Sequence, residues 1–184
     1  LDVGPRWTDL AQYLKPRLHE HYSPFLDLQY LYGLARAGER SAVTEMLASL
    51  EERAERAKPF EREAWNDCAV QMAHGLAAHA VGDHAGAASL IGRAMPHLQS
   101  IGGSIAQRAL FGAIHLDALM RSGWNDAAIA ILQADERARP TVPWIKRSLG
   151  DLYRRVGRTE RAMFADFEAD QLARTYSTGA RDVR

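Results

Sequence analysis

Four times the chain runs through an alanine-rich stretch whose apolar residues recur at helical spacing, then stops at a glycine. The stops are Gly38, Gly82, Gly123 and Gly157, and each is followed five positions on by a small or branched residue: Val43, Ala87, Ala128 and Ala162. A glycine after an apolar helical run takes the left-handed conformation that ends a helix. The pattern therefore predicts four helical hairpins, at about 24–57, 59–98, 104–138 and 142–175. A further helix over 5–20 precedes them, opened by Pro5 and striped by Trp7, Leu10, Leu14 and Leu18, with Pro16 placed to kink it or end it early. No run alternates with the period of a strand. The expectation is one all-α domain over residues 1–176, with a polar, frayed tail at 177–184.

The last hairpin carries the most specific spacing. Leu149, Gly150 and Tyr153 precede Gly157, Ala162 follows it, and Pro140 sits just before the unit. This resembles the tetratricopeptide repeat, in which Gly150 lets two helices approach and Ala162 is small where they cross. The resemblance implies a right-handed superhelix of antiparallel helical hairpins. The stop glycines are 44, 41 and 34 residues apart, and only the last interval matches the usual repeat of about 34. Two further segments stand out. One runs His21-Tyr22-Ser23-Pro24-Phe25-Leu26-Asp27-Leu28-Gln29-Tyr30, the other Ile101-Gly102-Gly103-Ser104-Ile105-Ala106-Gln107-Arg108-Ala109-Leu110-Phe111. They resemble the "D-H…F-x-D-x-H" opening and the "I-G-G-S-D-A-Q-R-D-V-F" segment of the tetratricopeptide repeat protein 38 family. That resemblance implies the C-terminal part of a longer helical-repeat protein and no particular activity. Gln29, Ile105 and Ala109 depart from the family's histidine and acidic positions.

Composition narrows the picture only in part. With 47% hydrophobic and 25% charged residues, the chain reads as an ordinary globular protein. Net charge is zero, which argues against general nucleic-acid binding. The one cysteine, Cys68, cannot form an internal disulfide and fits a reducing compartment, so a cytoplasmic location is expected. No segment reads as a membrane span or signal peptide. Leu1 in place of an initiating Met reads as a piece of a longer chain. Arginine outnumbers lysine 20 to 3, pointing to a GC-rich, bacterial genome.

Helical repeats make grooves, lined by the first helix of each hairpin. The repeat register places Tyr32, Arg36, Met72, His79, Asp117, Arg121, Trp144, Arg147, Asp151 and Arg154 on that face. Arginines at its late end suit a carboxylate or an acidic peptide, or else form a solvated face. The expected function is a scaffold that binds a protein or peptide partner. The alternative is a small-molecule or metal-dependent enzyme built on His74 and His115, which share one repeat position eight residues before their stops. Gly102, Gly103, Ser104, Gln107 and Arg108 read as a helix start with a Ser-x-x-Gln capping box, or else as an anion site. His19 and His21 flank a helix end and read as solvated or capping. No His-Glu-x-x-His, Cys-x-x-Cys or phosphate-cradling glycine loop is present, so no cofactor, metal or catalytic residue is expected. Met163, Phe164, Phe167, Leu172 and Tyr176 lie on the last helix with no later helix to cover them. The expectation is a homodimer, or contact with a missing domain, through residues 160–176, unless those side chains turn inward against helix 142–156.

Overall fold

The computed structural model describes residues 4–179. It is all-α: α1 Arg6–Leu14, α2 Pro24–Arg36, α3 Arg40–Glu55, α4 Val70–Ala80, α5 His84–Ala94, α6 Ile105–Ser122, α7 Asn125–Ala138, α8 Pro143–Arg155 and α9 Thr159–Gly179. No strand occurs among the described residues. Of the expected polar tail, residues 177–179 continue α9 and residues 180–184 lie outside the described residues. No helix among the described residues is long and apolar enough to cross a membrane.

The four stop glycines have φ of +77, +87, +80 and +74°. At each of them the same bond closes the helix. The next residue's N–H donates to the carbonyl five positions back: Glu39 to Leu34, Asp83 to Ala78, Trp124 to Leu119 and Arg158 to Tyr153. This is the Schellman closure that a left-handed glycine permits. The restart residue then donates the first bond of the next helix, as Ala87 does to Asp83 and Ala162 to Arg158. α1 ends early at Pro16, passing into a 3-10 turn over Lys15–Arg17. One feature departs from the sequence expectation. The run 59–82 is not a single α-helix but a 3-10 turn at Pro59–Glu61, a π-helical segment at Glu63–Ala69, and then α4. In the π segment the Val70 N–H reaches back to the Trp65 carbonyl, and the wider turn seats Trp65 and Cys68 in the interior.

Contacts group the chain into two compact units, Leu1–Ala118 and Leu119–Arg184, where sequence pattern alone places residues 1–176 in one domain. In the first unit α2 packs on α1, α3 and α4, and α4 packs on α5. Its core is Leu28, Leu31, Leu34, Met46, Leu50, Met72, Leu76, Ile91 and Phe111. Gly75 brings α4 against α5: a Cβ there would stand 2.5 Å from Ile91 Cγ1. In the second unit α8 packs between α7 and α9 around Leu132, Ile145, Leu149 and Leu152. Gly150 plays the expected part, since a Cβ there would meet Asp166 Oδ1 at 2.6 Å and the Ala162 carbonyl at 3.4 Å.

The start of α6 is capped reciprocally. The Gln107 N–H donates to Ser104 Oγ at 3.2 Å, and the Ser104 N–H donates to Gln107 Oε1 at 2.8 Å. Arg108 turns its guanidinium onto the carbonyls of Gly102 and Gly103. Ser104→Ala is therefore expected to cost about 0.5–2 kcal/mol, and Ser104→Asp much less. Thermal melting of the two variants checks this, and equal losses would sink the capping account.

Candidate functional site

Three residues of the groove register converge in the first unit. Tyr32 on α2, His79 on α4 and Asp117 on α6 form one hydrogen-bonded row. His79 Nε2 lies 2.8 Å from Asp117 Oδ2, and the Tyr32 hydroxyl lies 3.5 Å from His79 Nδ1. A carboxylate only accepts, so Nε2–H donates to Asp117 and leaves Nδ1 to accept from Tyr32. His79 is 7% exposed. Burial holds its imidazole below the ordinary value, against the opposing bond and charge of Asp117. The His84 ring meets His79 edge-on at 5.4 Å, and Trp7 meets Tyr32 edge-on at 6.2 Å, with Arg36 5.8 Å above the indole. Two buried nitrogens at this cluster, Trp7 Nε1 and His84 Nδ1, make no hydrogen bond within the protein. Buried polar atoms almost always have a partner, and these two lie at opposite ends of the Trp7–Tyr32–His79–His84 string of rings. His79, His84 and Asp117 each offer a metal-ligand atom, all within 4.8 Å of one another.

A second polar chain runs through the same unit. His21 Nδ1 lies 2.7 Å from Asp27 Oδ2, and His21 Nε2 lies 2.7 Å from Ser49 Oγ. His19 Nδ1 approaches the same Oγ at 2.8 Å, and His19 Nε2 lies 2.8 Å from Glu45 Oε1. Asp27, in the first turn of α2, is 1% exposed, and burial raises its carboxyl above the usual range against the bond from His21. His21 is the one non-glycine residue at positive φ among the described residues, +46°, and Trp65 packs edge-on against its ring at 5.9 Å. His19 is solvated as expected while also reaching Ser49 and Glu45, whereas His21 is half-buried within the network.

The remaining candidates lie elsewhere. Met72 is buried core. His74 pairs with Glu51 at 2.7 Å, while His115 lies against Gly92 and makes a backbone bond with Ala88, so the two matched histidines have separate partners. In the second unit Arg147 donates to Asp170 at 2.7 Å, and Arg154 spans Asp151 and Asp166 at 2.8 and 2.5 Å. Arg121 and Trp144 are exposed on this unit. Cys68 donates to the Ala94 carbonyl at 3.6 Å, and its thiol is pushed up to about 12 by burial, which leaves almost no thiolate at neutral pH.

His115 carries a pH dependence. Burial lowers its folded value below the ordinary 6.5, and the bond with Ala88 only partly offsets this. The unfolded chain then takes up the proton first, so His115 contributes stability that is present above pH 6.5 and lost as pH falls through the folded value. Melting temperature is expected to fall between pH 7.5 and 5, and His115→Gln to flatten part of that slope. A slope unchanged in the variant would count against the assignment.

No family model matches the chain, and no solved structure matches it. Sequence reasoning missed Ser49, Glu45 and His84 as members of polar clusters. His21 and Asp27 lie within one segment quoted for a family resemblance, but nothing in that segment signalled the bond between them.

Proposed function

We propose that the chain is a tetratricopeptide-like right-handed superhelix of hairpins, akin to the tetratricopeptide repeat protein 38 family, that binds a protein or peptide partner on its groove face. One observation carries this reading: Tyr32, His79 and Asp117, placed on the groove by repeat register alone, lie in one hydrogen-bonded row. A random peptide library selected on the intact chain tests it. Binders are expected to lose at least tenfold in affinity with His79→Gln or Tyr32→Phe, and binders indifferent to both changes would overturn it.

A second reading follows from the unpartnered His84 Nδ1: a divalent cation held by His79, His84 and Asp117. Zinc sits about 2.0–2.2 Å from nitrogen and oxygen donors, so a set spread over 4.8 Å needs only small side-chain rotations to close on it. Calorimetric titration of zinc chloride into chelator-treated protein should show one site, lost in His84→Ala and kept in His74→Ala.

The same proposal extends to assembly. Met163, Phe164 and Phe167 are 68, 63 and 60% exposed on one face of α9, while the Tyr176 side chain lies outside the described residues. A patch confined to one helix suits a two-fold contact with a second copy. Light scattering is expected to give a dimer that Phe164→Glu converts to monomer, and an unchanged monomer in both would remove this part of the reading.

A further inference from the structure

We propose that Ser49, His21 and Asp27 form an acyl-transfer centre that acts on carboxylic esters with good leaving groups. The inference is independent of the groove reading and rests on the order of atoms. The buried carboxylate of Asp27 faces His21 Nδ1 at 2.7 Å, and the opposite ring nitrogen, Nε2, faces the Ser49 hydroxyl at 2.7 Å. That is the connectivity in which a carboxylate fixes the tautomer and orientation of an imidazole, and the imidazole takes the proton of a serine. Three different elements supply the parts: the loop before α2, the first turn of α2, and α3.

The scaffold holds His21 as a base is held. Its backbone occupies a left-handed conformation that few non-glycine residues adopt, and Trp65, itself buried, packs against the ring edge. Exposure rises along the chain of groups, from 1% at Asp27 through 11% at the His21 side chain to 63% at that of His19. The reactive oxygen thus sits toward solvent and its orienting acid away from it.

His19 approaches the same oxygen: its Nδ1 lies 2.8 Å from Ser49 Oγ, and its Nε2 lies 2.8 Å from Glu45 Oε1. With the Asp27 carboxylate holding the His21 proton on Nδ1, the bare Nε2 accepts from the Ser49 hydroxyl, so the serine proton points at the base.

Chemistry follows directly. Ser49 Oγ attacks the ester carbonyl carbon while its proton passes to His21 Nε2, and the oxyanion accepts from His19 Nδ1–H. The carbon–oxygen bond to the leaving group breaks, and the departing oxygen takes the proton from His21. Water then attacks the acyl-serine with His21 again as base, releasing the carboxylic acid and restoring the hydroxyl. His19 Nδ1, 2.8 Å from Ser49 Oγ, is the group proposed to donate to the oxyanion. Each such donor is worth about 100- to 1,000-fold in rate, which is why activated esters, rather than amides, match a single one.

A staple between the loop and α3 would use the same bonds without making Ser49 nucleophilic, so the test reads nucleophilicity. The intact chain is treated with a biotinylated alkyl fluorophosphonate and digested for mass spectrometry, and p-nitrophenyl acetate hydrolysis is followed in parallel. The expected result is one phosphonylated residue, Ser49, and hydrolysis above buffer. Ser49→Ala should abolish both. His21→Asn keeps a residue that tolerates the left-handed backbone and should slow labelling and hydrolysis at least 100-fold, with its melting temperature confirming the fold. No label on Ser49 in folded wild-type protein, or a label that forms equally fast in His21→Asn, overturns the proposal.

Discussion

Gly75→Val is expected to cost about 3 kcal/mol, the upper part of the range for forcing extra carbon into a packed core. A Cβ on Gly75 would lie 2.5 Å from Ile91 Cγ1, 3.0 Å from the Ile91 nitrogen and 3.2 Å from Leu90 Cβ. The side-chain contact alone could be relieved by turning Ile91. The backbone nitrogen cannot move without shifting α5 away from α4, the two helices that Gly75 brings together. Helix propensity works the other way, since glycine inside a helix is about 1 kcal/mol worse than alanine. Gly112 provides the control. It lies within α6, where a Cβ would meet only Met95 Cε at 4.0 Å. Gly112→Ala should therefore be neutral or stabilising by up to about 1 kcal/mol. For a chain of this size the Gly75 variant should lower the melting temperature by roughly 6–12 °C. Equal melting of the two variants would mean that the α4–α5 crossing is not a tight contact.

The contrast between these glycines shows what the sequence could and could not reveal. Glycine after an apolar helical run is a local signal, and all four stops fell in the left-handed region with the same closing bond. Ser104 with Gln107 is equally local, because a capping box is written in a spacing of three. Whether a mid-helix glycine marks a close crossing depends on the partner helix, and no spacing reports that. The π-helical segment was illegible for a related reason. Its extra residue is absorbed by packing Trp65 and Cys68 inward, and the apolar period of 59–82 does not show it.

The polar clusters divide in the same way. Tyr32, His79 and Asp117 were reached through repeat register, which puts all three on first helices, Tyr32 and Asp117 six residues before their stop glycines and His79 three before its own. His74 and His115 share a register position too, yet each is taken by a neighbour that register does not see: Glu51 on α3 in one case, Ala88 on α5 in the other. His84 lies at the start of a second helix, outside the groove register altogether. Ser49 carries no local motif. Its place beside His21 depends on a loop reversing at a histidine with positive φ, a long-range arrangement that one sequence does not expose.

The two segments that carry the family resemblance meet in space, and the contact has a measurable consequence. Phe25, from the His21–Tyr30 segment, meets Phe111, from the Ile101–Phe111 segment, edge-on at 6.2 Å, and Phe111 has no exposed surface. Gly103 completes the contact, since its φ is +74° and a Cβ there would come within 2.9 Å of the Phe25 ring. The glycine is thus required twice, once by backbone conformation and once by the ring it faces. Phe111→Ala is expected to cost about 3–5 kcal/mol, combining lost burial with an unfilled cavity. Phe111→Leu, which fills most of the space, should cost appreciably less. Because Phe25 lies two residues before Asp27 on α2, loosening this contact should also loosen the network around His21. Phe111→Ala is therefore expected to slow any Ser49 phosphonylation even at temperatures where the variant remains folded. A large loss of stability with an unchanged labelling rate would show that the aromatic contact and the Ser49 network are mechanically separate.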